Sequence, residues 1–306
     1  MKKIYSILFL IMISVILLSC TNKDCEIEFE TEVSIIVPNG TPYFAIASLL
    51  ENENIKIEAV AGPSNLQSAL VSGSHDIVIA PVNLGVNLYN KGNSKYLISH
   101  VLTSNNAYIV TRDENKLDNI YDLNGQKVIG FAPTGIPANI LKKAYQENNL
   151  DINNVDFQYQ SSANVYSVFA SDTTETKYAL MSEPEISKLI INDGLKIKKL
   201  DLCEVLGVNI AQACVFVNPE SVNQKDIDKV LKLIENSVIE LNNNPSEYVE
   251  KIVNLDRTFS ATGKEVLVQS LPNSNIIFKD AKTNKEMIVD VLNLLGVTLP
   301  NEEFYR

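Results

Sequence analysis

Short runs of β-branched and aliphatic residues alternate along this chain with stretches whose apolar side chains recur every three or four positions. In the first third of the chain, this pattern predicts strands at 33–38, 55–60 and 76–80, and helices at 42–50, 64–72 and 83–89. Strands that alternate with helices in this way are typical of βα units and of a mostly parallel sheet.

A second series of the same kind follows residue 106. It predicts strands at 107–112, 127–132, 155–160, 178–181, 196–201 and 213–218, with helices at 136–148, 164–170 and 184–191. Beyond residue 218 the pattern is only helical. An apolar stripe from Ile227 to Leu241 predicts a helix capped by Asn223. Thr283 to Glu286 has the spacing of a capping box, which predicts a last helix ended by Gly296.

Two βα series followed by returning helices predict an α/β fold with two lobes. We assign 33–110 and 214–306 to lobe 1 and 111–213 to lobe 2, with chain crossings near 109–113 and 211–216. One hydrophobic core rarely serves a chain longer than about 250–300 residues. The length of 306 residues is therefore sufficient for two lobes.

The N-terminus has the layout of a secretory leader. Lys2 and Lys3 precede an uncharged apolar run at 4–18, and Ser19 then stands before Cys20. The run is shorter than the roughly 20 residues that a spanning helix needs, although an uncleaved membrane anchor remains the alternative. The sequence around Cys20 resembles a bacterial lipobox, which implies a signal peptide at 1–19 and a lipid on Cys20. Residues 20–32 are then a polar tether, and the chain is exported and held at the extracytoplasmic face of the cell membrane.

Composition excludes several classes of partner and site. The formal net charge of −11 argues against nucleic acid and against electrostatic binding to anionic lipid. Cys203 and Cys214 either form a disulfide with each other or, like Cys25, stay unpaired. No CxxC spacing that would indicate a zinc site is present. With only His75 and His100 in the chain, no metal site is expected. No GxSxG, HExxH or P-loop motif is present, so we expect neither an enzyme nor a bound cofactor.

Small and hydroxyl residues follow one predicted strand after another. The five segments are Gly40-Thr41-Pro42, a capping box at Ser64-Asn65-Leu66-Gln67, Asn83 after Pro81, Thr134-Gly135, and Ser182-Glu183-Pro184-Glu185. Each alone is sufficiently explained as a helix cap. Because ligands in open α/β sheets bind beyond the carboxyl ends of the strands, the five together predict one cleft between the lobes.

Three of these stretches carry a family resemblance. They read PNGTPYFAIASLL, GPSNLQSALVSGSHDIVIAPVNLGVNLYNKG and LNGQKVIGFAPTGIPANILKKA. Over about 33–252 the chain resembles ABC-transporter substrate-binding proteins, in the group that binds nitrate, sulfonates, bicarbonate or thiamine-pyrimidine precursors. The resemblance implies a type II periplasmic-binding fold that closes around one small molecule and delivers it, as a monomer, to an ABC permease and ATPase. The ligand-binding candidates that it implies are Thr41, Tyr43, Ser64, Asn65, Asn83, Thr134, Gly135 and Ser182.

The residue types favour a heterocyclic ligand, such as a thiamine precursor or a flavin, over a simple anion. Only three arginines are present, and of these only Arg112 lies near a predicted crossing, where it can equally be a solvated charge. Five aromatic residues close to strand ends either stack on a flat ligand or fill the core: Tyr43, Phe44, Tyr108, Phe131 and Tyr166. Glu183 either pairs with an amino group on the ligand or serves as an N-terminal helix charge. A binder of a small oxyanion, and a ligand-sensing or adhesive lipoprotein, remain the alternatives.

Overall fold

Two β-sheets organise the part of the chain that the computed structural model describes, which is residues 28–171, 175–222 and 224–306, without the side chains of Ser162 and Ala163. The strands β1 to β11 are, in order, Val33–Pro38, Ile55–Val60, Ile77–Pro81, Leu97–Ser104, Tyr108–Arg112, Lys127–Phe131, Asp156–Gln160, Tyr178–Met181, Ile197–Asp201, Ala211–Val217 and Ile276–Asp280. The predicted leader, Cys20, Cys25 and the predicted cap Asn223 lie outside the described residues.

Helices connect and cover the strands. The helices α1 to α12 are, in order, Thr41–Ala45, Pro63–Ser72, Val82–Asn90, Ile136–Glu147, Ser162–Ala170, Glu185–Ile191, Leu202–Leu206, Gln224–Asn243, Pro245–Ile252, Arg257–Thr262, Lys264–Ser270 and Lys285–Leu294. Short 3₁₀ turns lie at Ala47–Glu51, Ile120–Leu123, Ile152–Asn154, Leu271–Asn273 and Glu302–Phe304. In the described ranges, no helix is both long and apolar enough to cross a membrane.

The first sheet has the strand order β11-β4-β10-β3-β1-β2. Strand β1 pairs in parallel with β2 and β3, whereas β10 pairs antiparallel with β3 and β4. The second sheet has the order β7-β6-β8-β5-β9, with β6 parallel to β7 and β8, and β5 antiparallel to β8 and β9. The predicted α/β class with βα units is therefore confirmed.

The chain passes between the sheets twice. It leaves the first sheet after β4, at residues 105–107, and returns through residues 207–210 into β10. Residues 31–306 together form one compact unit. The exact division into lobes at 110/111 and 213/214 stays a prediction.

The expectation that everything after residue 218 is helical is wrong. Strand β11 pairs antiparallel with β4 at the edge of the first sheet, directly after Asn275, whose φ of 49° turns the chain into the strand. The run Ile276–Phe278 is too short for its periodicity to separate strand from helix. Only the pairing with β4 decides between them.

The predicted capping box at Thr283 is also wrong. The hydroxyl and the backbone N–H of Thr283 both donate to Oδ1 of Asp280, at 2.9 and 2.8 Å, so that Thr283 belongs to the turn that leaves β11. The helix α12 begins two residues later, at Lys285. Its predicted end is confirmed, because Gly296 has a φ of 64° immediately beyond the last turn.

The core of the first sheet is closed by aromatic rings. Phe216 on β10 and Phe304 near the C-terminus are fully buried, with ring centroids 6.2 Å apart. Gly85 on α3 lies directly against the Phe216 ring. Cys203 and Cys214 are buried free thiols and do not form a disulfide with each other, and burial raises the pKa of Cys203 to about 12. Both cysteines therefore pack as small apolar residues.

We expect Gly85→Ala to destabilise the protein by about 1–3 kcal/mol, the usual effect of overpacking a closed core. A β-carbon at this position would lie 2.3 Å from two atoms of the Phe216 ring. Urea unfolding followed by circular dichroism measures the effect. Gly62→Ala is the control for the added methyl group, because a β-carbon there meets nothing closer than 4.0 Å and only the smaller loss of a glycine N-cap, below about 1 kcal/mol, is expected. Equal loss in both variants would contradict the packing argument.

Candidate functional site

A cavity of about 830 Å³ lies where segments that follow strands of both sheets come together. From the first sheet it is lined by residues 38–42 at the end of β1, residues 61–63 after β2, and Pro81, Asn83 and Leu84 at the end of β3. From the second sheet it is lined by residues 131–137 after β6 and 181–185 after β8. This is the carboxyl end of the parallel strands, the position at which open α/β sheets bind ligands. We call this cavity the cleft.

Six of the nine predicted ligand-binding residues line the cleft: Thr41, Asn83, Thr134, Gly135, Ser182 and Glu183. The structure therefore brings together side chains that are as much as 142 residues apart in the sequence. Their contact with a ligand stays a prediction.

Tyr43 lies beneath the cleft wall rather than on it. Its ring is buried and packs against Phe259 at 4.7 Å between centroids. Burial, with the nearby carboxylate of Asp256, raises the pKa of Tyr43 well above its usual range. Tyr43 thus contributes to the core in this structure.

Ser64 and Asn65 lie in a different depression, which they share with Glu58 and His75. The predicted capping box is wrong here because Pro63 already occupies the first turn of α2, and Gly62 is the N-cap. With the helix starting before Ser64, this residue falls inside the first turn and is exposed. A proline at the first helical position fixes the start of a helix more strongly than a capping serine one residue later.

The other predicted caps act differently too. Gly40, with a φ of 95°, is the N-cap of α1, so Thr41 is already helical and its hydroxyl is available to another group. Ser182 does not cap α6; its hydroxyl donates to the backbone oxygen of Asn106 at 2.7 Å. The hydroxyls of Thr41 and Ser182 therefore serve contacts between distant segments.

Two of the five aromatic candidates, Phe44 and Phe131, line the cleft. The hydroxyl of Tyr108 instead accepts a hydrogen bond from Nδ2 of Asn275 at 3.3 Å, and that of Tyr166 donates to Asp193 at 2.7 Å. Phe44 is only 2% exposed and packs edge-on against Phe259, with ring centroids 5.7 Å apart. Of the two rings that line the cleft, the half-buried Phe131 therefore offers the stacking surface.

The charge in the cleft is mostly neutralised or negative. Three charged side chains line it, Glu183, Glu185 and Lys188, and Nζ of Lys188 lies 2.9 Å from Oε1 of Glu185. Arg112 is directed elsewhere: its guanidinium donates to the carbonyl oxygens of Phe169, Ala170 and Ser171 at the end of α5. Lys188 and Glu185 therefore neutralise each other, which leaves the carboxyl of Glu183 as the third ionisable group of the described lining.

Glu183 is 5% exposed and held at three points. Its Oε2 accepts the backbone N–H of Ser187 at 3.0 Å, and its carbonyl oxygen accepts from Oγ1 of Thr41 at 3.3 Å. Its own N–H donates to Oδ1 of Asn106 at 2.8 Å. Burial raises the pKa of the Glu183 carboxyl, while the hydrogen bonds from Ser187 act in the opposite direction. A carboxylate offers about four acceptor positions, so capacity remains for a donor on a ligand.

Sequence reasoning missed several residues of the cleft. Asn106 comes from the connection between β4 and β5, Gln212 comes from the start of β10 just after the return connection, and Thr258 and Thr262 come from α10. No strand-to-helix pattern marks these positions, because they enter the cleft from crossings and from a returning helix. An Asn pair at 105–106, between two apolar runs, was the available signal for a special turn.

The chemistry of the cleft is that of non-covalent binding. Amides and hydroxyls provide hydrogen-bond donors and acceptors, and apolar and aromatic side chains provide contact area, as in small-molecule sites generally. In the part of the chain that the structure describes, no group of three or more His, Cys, Asp or Glu side chains is placed to hold a metal ion.

Solved structures with the same fold support this arrangement. An ABC transporter protein from Parabacteroides distasonis has a TM-score of 0.73 and 19% identity, covering 90% of this chain and 99% of the other. The periplasmic aliphatic sulphonate binding protein SsuA from Escherichia coli has a TM-score of 0.70 and 14% identity, covering 88% and 86%. A zinc-bound ligand-binding component of an ABC-type import system from Staphylococcus aureus has a TM-score of 0.67 and 16% identity, covering 90% and 96%.

These likenesses establish the predicted fold, a two-lobed type II periplasmic-binding fold. A search among curated proteins gives no match. The family model described as "NMT1/THI5 like" matches residues 43–248, which is more than half of the chain and includes most of the segments that line the cleft. The predicted resemblance to the nitrate, sulfonate and thiamine-precursor group is thereby confirmed, and the chain belongs to the NMT1/THI5-like family.

Proposed function

We propose that this chain is an extracytoplasmic solute-binding protein that captures a small molecule in the cleft and delivers it to an ABC importer. The observation that carries the proposal is a cleft of about 830 Å³ built from the strand ends of two sheets that only two connections join. The family supports it, and so do neighbours named as an ABC transporter protein and a ligand-binding component of an import system. The protein acts by binding and not by catalysis.

The mechanism follows from the two connections. In the open form, ligand enters between the lobes; rotation about residues 105–107 and 207–210 then brings the two cleft walls together. Closure removes water from the ligand and strengthens its hydrogen bonds. The closed lobes dock on the permease as a monomer, and ATP-driven opening releases the ligand.

For the ligand we propose an uncharged or weakly cationic heterocycle, such as a thiamine precursor or a flavin. The half-buried Phe131 offers a ring face, and Glu183 offers an acceptor to N–H groups. A small oxyanion is the second candidate, because SsuA proteins named as sulfonate-binding share the fold. Anions need charge-assisted donors, but Lys188 is paired with Glu185 and Arg112 binds backbone carbonyls. The heterocycle therefore fits the described lining better.

Lipid on Cys20 is the proposed attachment to the membrane, with residues 20–32 as the tether. A ligand-sensing or adhesive lipoprotein would use the same cleft and differ only in its partner. A permease and an ATPase encoded beside the gene favour import, whereas a receptor kinase in that place favours sensing.

Native mass spectrometry of the purified protein, before and after mild unfolding, tests the proposal. A solute-binding protein that closes on its ligand is expected to retain a small mass, which disappears on unfolding. An empty protein whose melting temperature does not change with thiamine precursors, flavins, sulfonates or nitrate would contradict solute import. Tight binding of sulfonates alone would contradict the heterocycle.

Glu183→Gln is expected to weaken binding of 4-aminopyrimidine by about ten- to a hundredfold, since a hydrogen bond to a charged acceptor contributes about 1.5–3 kcal/mol. Binding of pyrimidin-4-one, which has an acceptor in place of the amino group, should not weaken. Isothermal titration calorimetry measures both. Glu185→Gln is the matched control, because Glu185 is already paired with Lys188. A uniform loss for both ligands would exclude a specific pairing with Glu183.

A bulky side chain at residue 134 should obstruct the cleft. We expect Thr134→Leu to lower affinity for the retained ligand by at least about tenfold, or about 1.4 kcal/mol, with little change in the unfolding midpoint. Thr134 is exposed and lines the cleft, so the fold tolerates the larger side chain. Ser64→Leu is the control, because Ser64 is equally exposed but lies in the separate depression. Similar affinities in the two variants would place the ligand elsewhere.

Cys20→Ser should release the protein from the membrane fraction, because the thiol is the only group at this position that can carry the lipid. Partition into a detergent phase, with and without the substitution, measures attachment. Cys25→Ser is the matched control, five residues further along the tether. Retention of the Cys20→Ser variant in the detergent phase would favour the uncleaved apolar anchor.

A further inference from the structure

Asn106 lies on the connection from β4 to β5 and is 6% exposed. Its side-chain amide holds the main chain of Glu183 from both sides: Oδ1 accepts the Glu183 N–H at 2.8 Å, and Nδ2 donates to the Glu183 carbonyl oxygen at 3.3 Å. A single side chain thus replaces the two hydrogen bonds that a neighbouring strand would make to this residue. The position of Glu183 is fixed by an amide that belongs to a crossing and not to its own sheet.

The main chain of Asn106 extends the same network. Its carbonyl oxygen accepts from the hydroxyl of Ser182 at 2.7 Å, and its N–H donates to Oε1 of Gln212 at 3.3 Å. Gln212 lies on β10, immediately after the return connection. Both connections between the sheets therefore meet beside Glu183, where Thr41 also donates to the Glu183 carbonyl oxygen at 3.3 Å.

These hydrogen bonds fix the position of Asn106 relative to residues 182 and 183. All four hydrogen-bonding groups of Asn106 are used, and three of the four bonds are made to residues 182 and 183. Buried networks that are fully satisfied hold their members in one arrangement. Because Asn106 lies on a connection about which the lobes would rotate, movement of that connection moves the amide, and with it the carboxylate of Glu183.

We infer that Asn106 is a positioning residue that holds the Glu183 carboxylate in the cleft and couples its place to the angle between the lobes. The part of this inference that concerns ligand binding rests on the proposed function. The placement of the carboxylate does not, and it can be measured on the empty protein.

The first measurement is the pKa of the Glu183 carboxyl by ¹³C NMR titration, with Glu183→Gln to assign the signal. The wild type should show a pKa above the usual range, since burial dominates. In Asn106→Ala, water enters the loosened segment and the pKa should fall toward the ordinary glutamate value of about 4.3. The charges of Lys199 and Glu185, which act on the Glu183 carboxyl, are the same in both proteins. So is Tyr108, whose pKa is raised by Glu183.

Asn105→Gly is the matched control. Asn105 lies on the same connection, and its side chain also binds the return connection, at the N–H of Ile210 (2.8 Å) and at Asn209 (2.9 Å). It makes no hydrogen bond to Glu183 within the described residues, and glycine tolerates its φ of 42°. The Glu183 pKa should stay at its wild-type value in this variant, even if the protein becomes less stable.

The second measurement is selectivity between 4-aminopyrimidine and pyrimidin-4-one. Asn106→Ala should lower affinity for the amino compound about tenfold and leave the other unchanged, whereas Asn105→Gly should keep the wild-type ratio. Asn106→Ser serves in place of Asn106→Ala if the latter does not unfold cooperatively. An unchanged Glu183 pKa in a folded Asn106 variant overturns the inference. If the wild type binds neither pyrimidine, the proposed ligand class fails, and the titration alone decides the role of Asn106.

Discussion

The carboxyl ends of the parallel strands in both sheets point into one space, and the cleft depends on this constraint. Strands β1, β2 and β3 end beside it from one sheet, and β6 and β8 end beside it from the other. Parallel strands leave their next residues at a common edge, so short segments after each strand are brought together without long loops. The two crossings set how the two edges face each other, which makes them part of the site as well as of the fold.

The protein's own carbonyl and carboxylate groups decide which cations are available in and near the cleft. Arg112 is a suitable anion receptor by residue type, yet three carbonyl oxygens at the end of α5 bind it. Lys188 is similarly paired with Glu185. The carboxyl of Glu183 is held at the cleft by the Ser187 N–H, and its main chain is held by Asn106, while burial raises its pKa. The cations that the residue types offered are thus engaged by the protein itself, and the described lining presents mainly amides, hydroxyls and the Glu183 carboxyl.

Much of the fold was readable from the sequence, because apolar periodicity records burial one element at a time. The strand at 33–38 has the predicted bounds, and the helix predicted at 64–72 differs by one residue. The missed strand has a physical cause. A segment such as Ile276–Asp280 has no strong period of its own, and its state depends on the free edge of β4, which the local sequence does not reveal.

For the site, the sequence by itself determined which residue types follow each strand, and therefore that small and hydroxyl groups would surround a cleft between two sheets. Tertiary structure decided which of them face it. Thr41 lines the cleft because Gly40 begins the helix, and Ser64 lies in a separate depression because Pro63 already occupies the first turn of its helix. Tertiary structure also brought Asn106 to Glu183 and Gln212 to Asn106, since contacts across 77 residues and more depend on how the crossings pass between the sheets. Local pattern encodes burial and turns, whereas convergence of distant segments is a property of the packed chain alone.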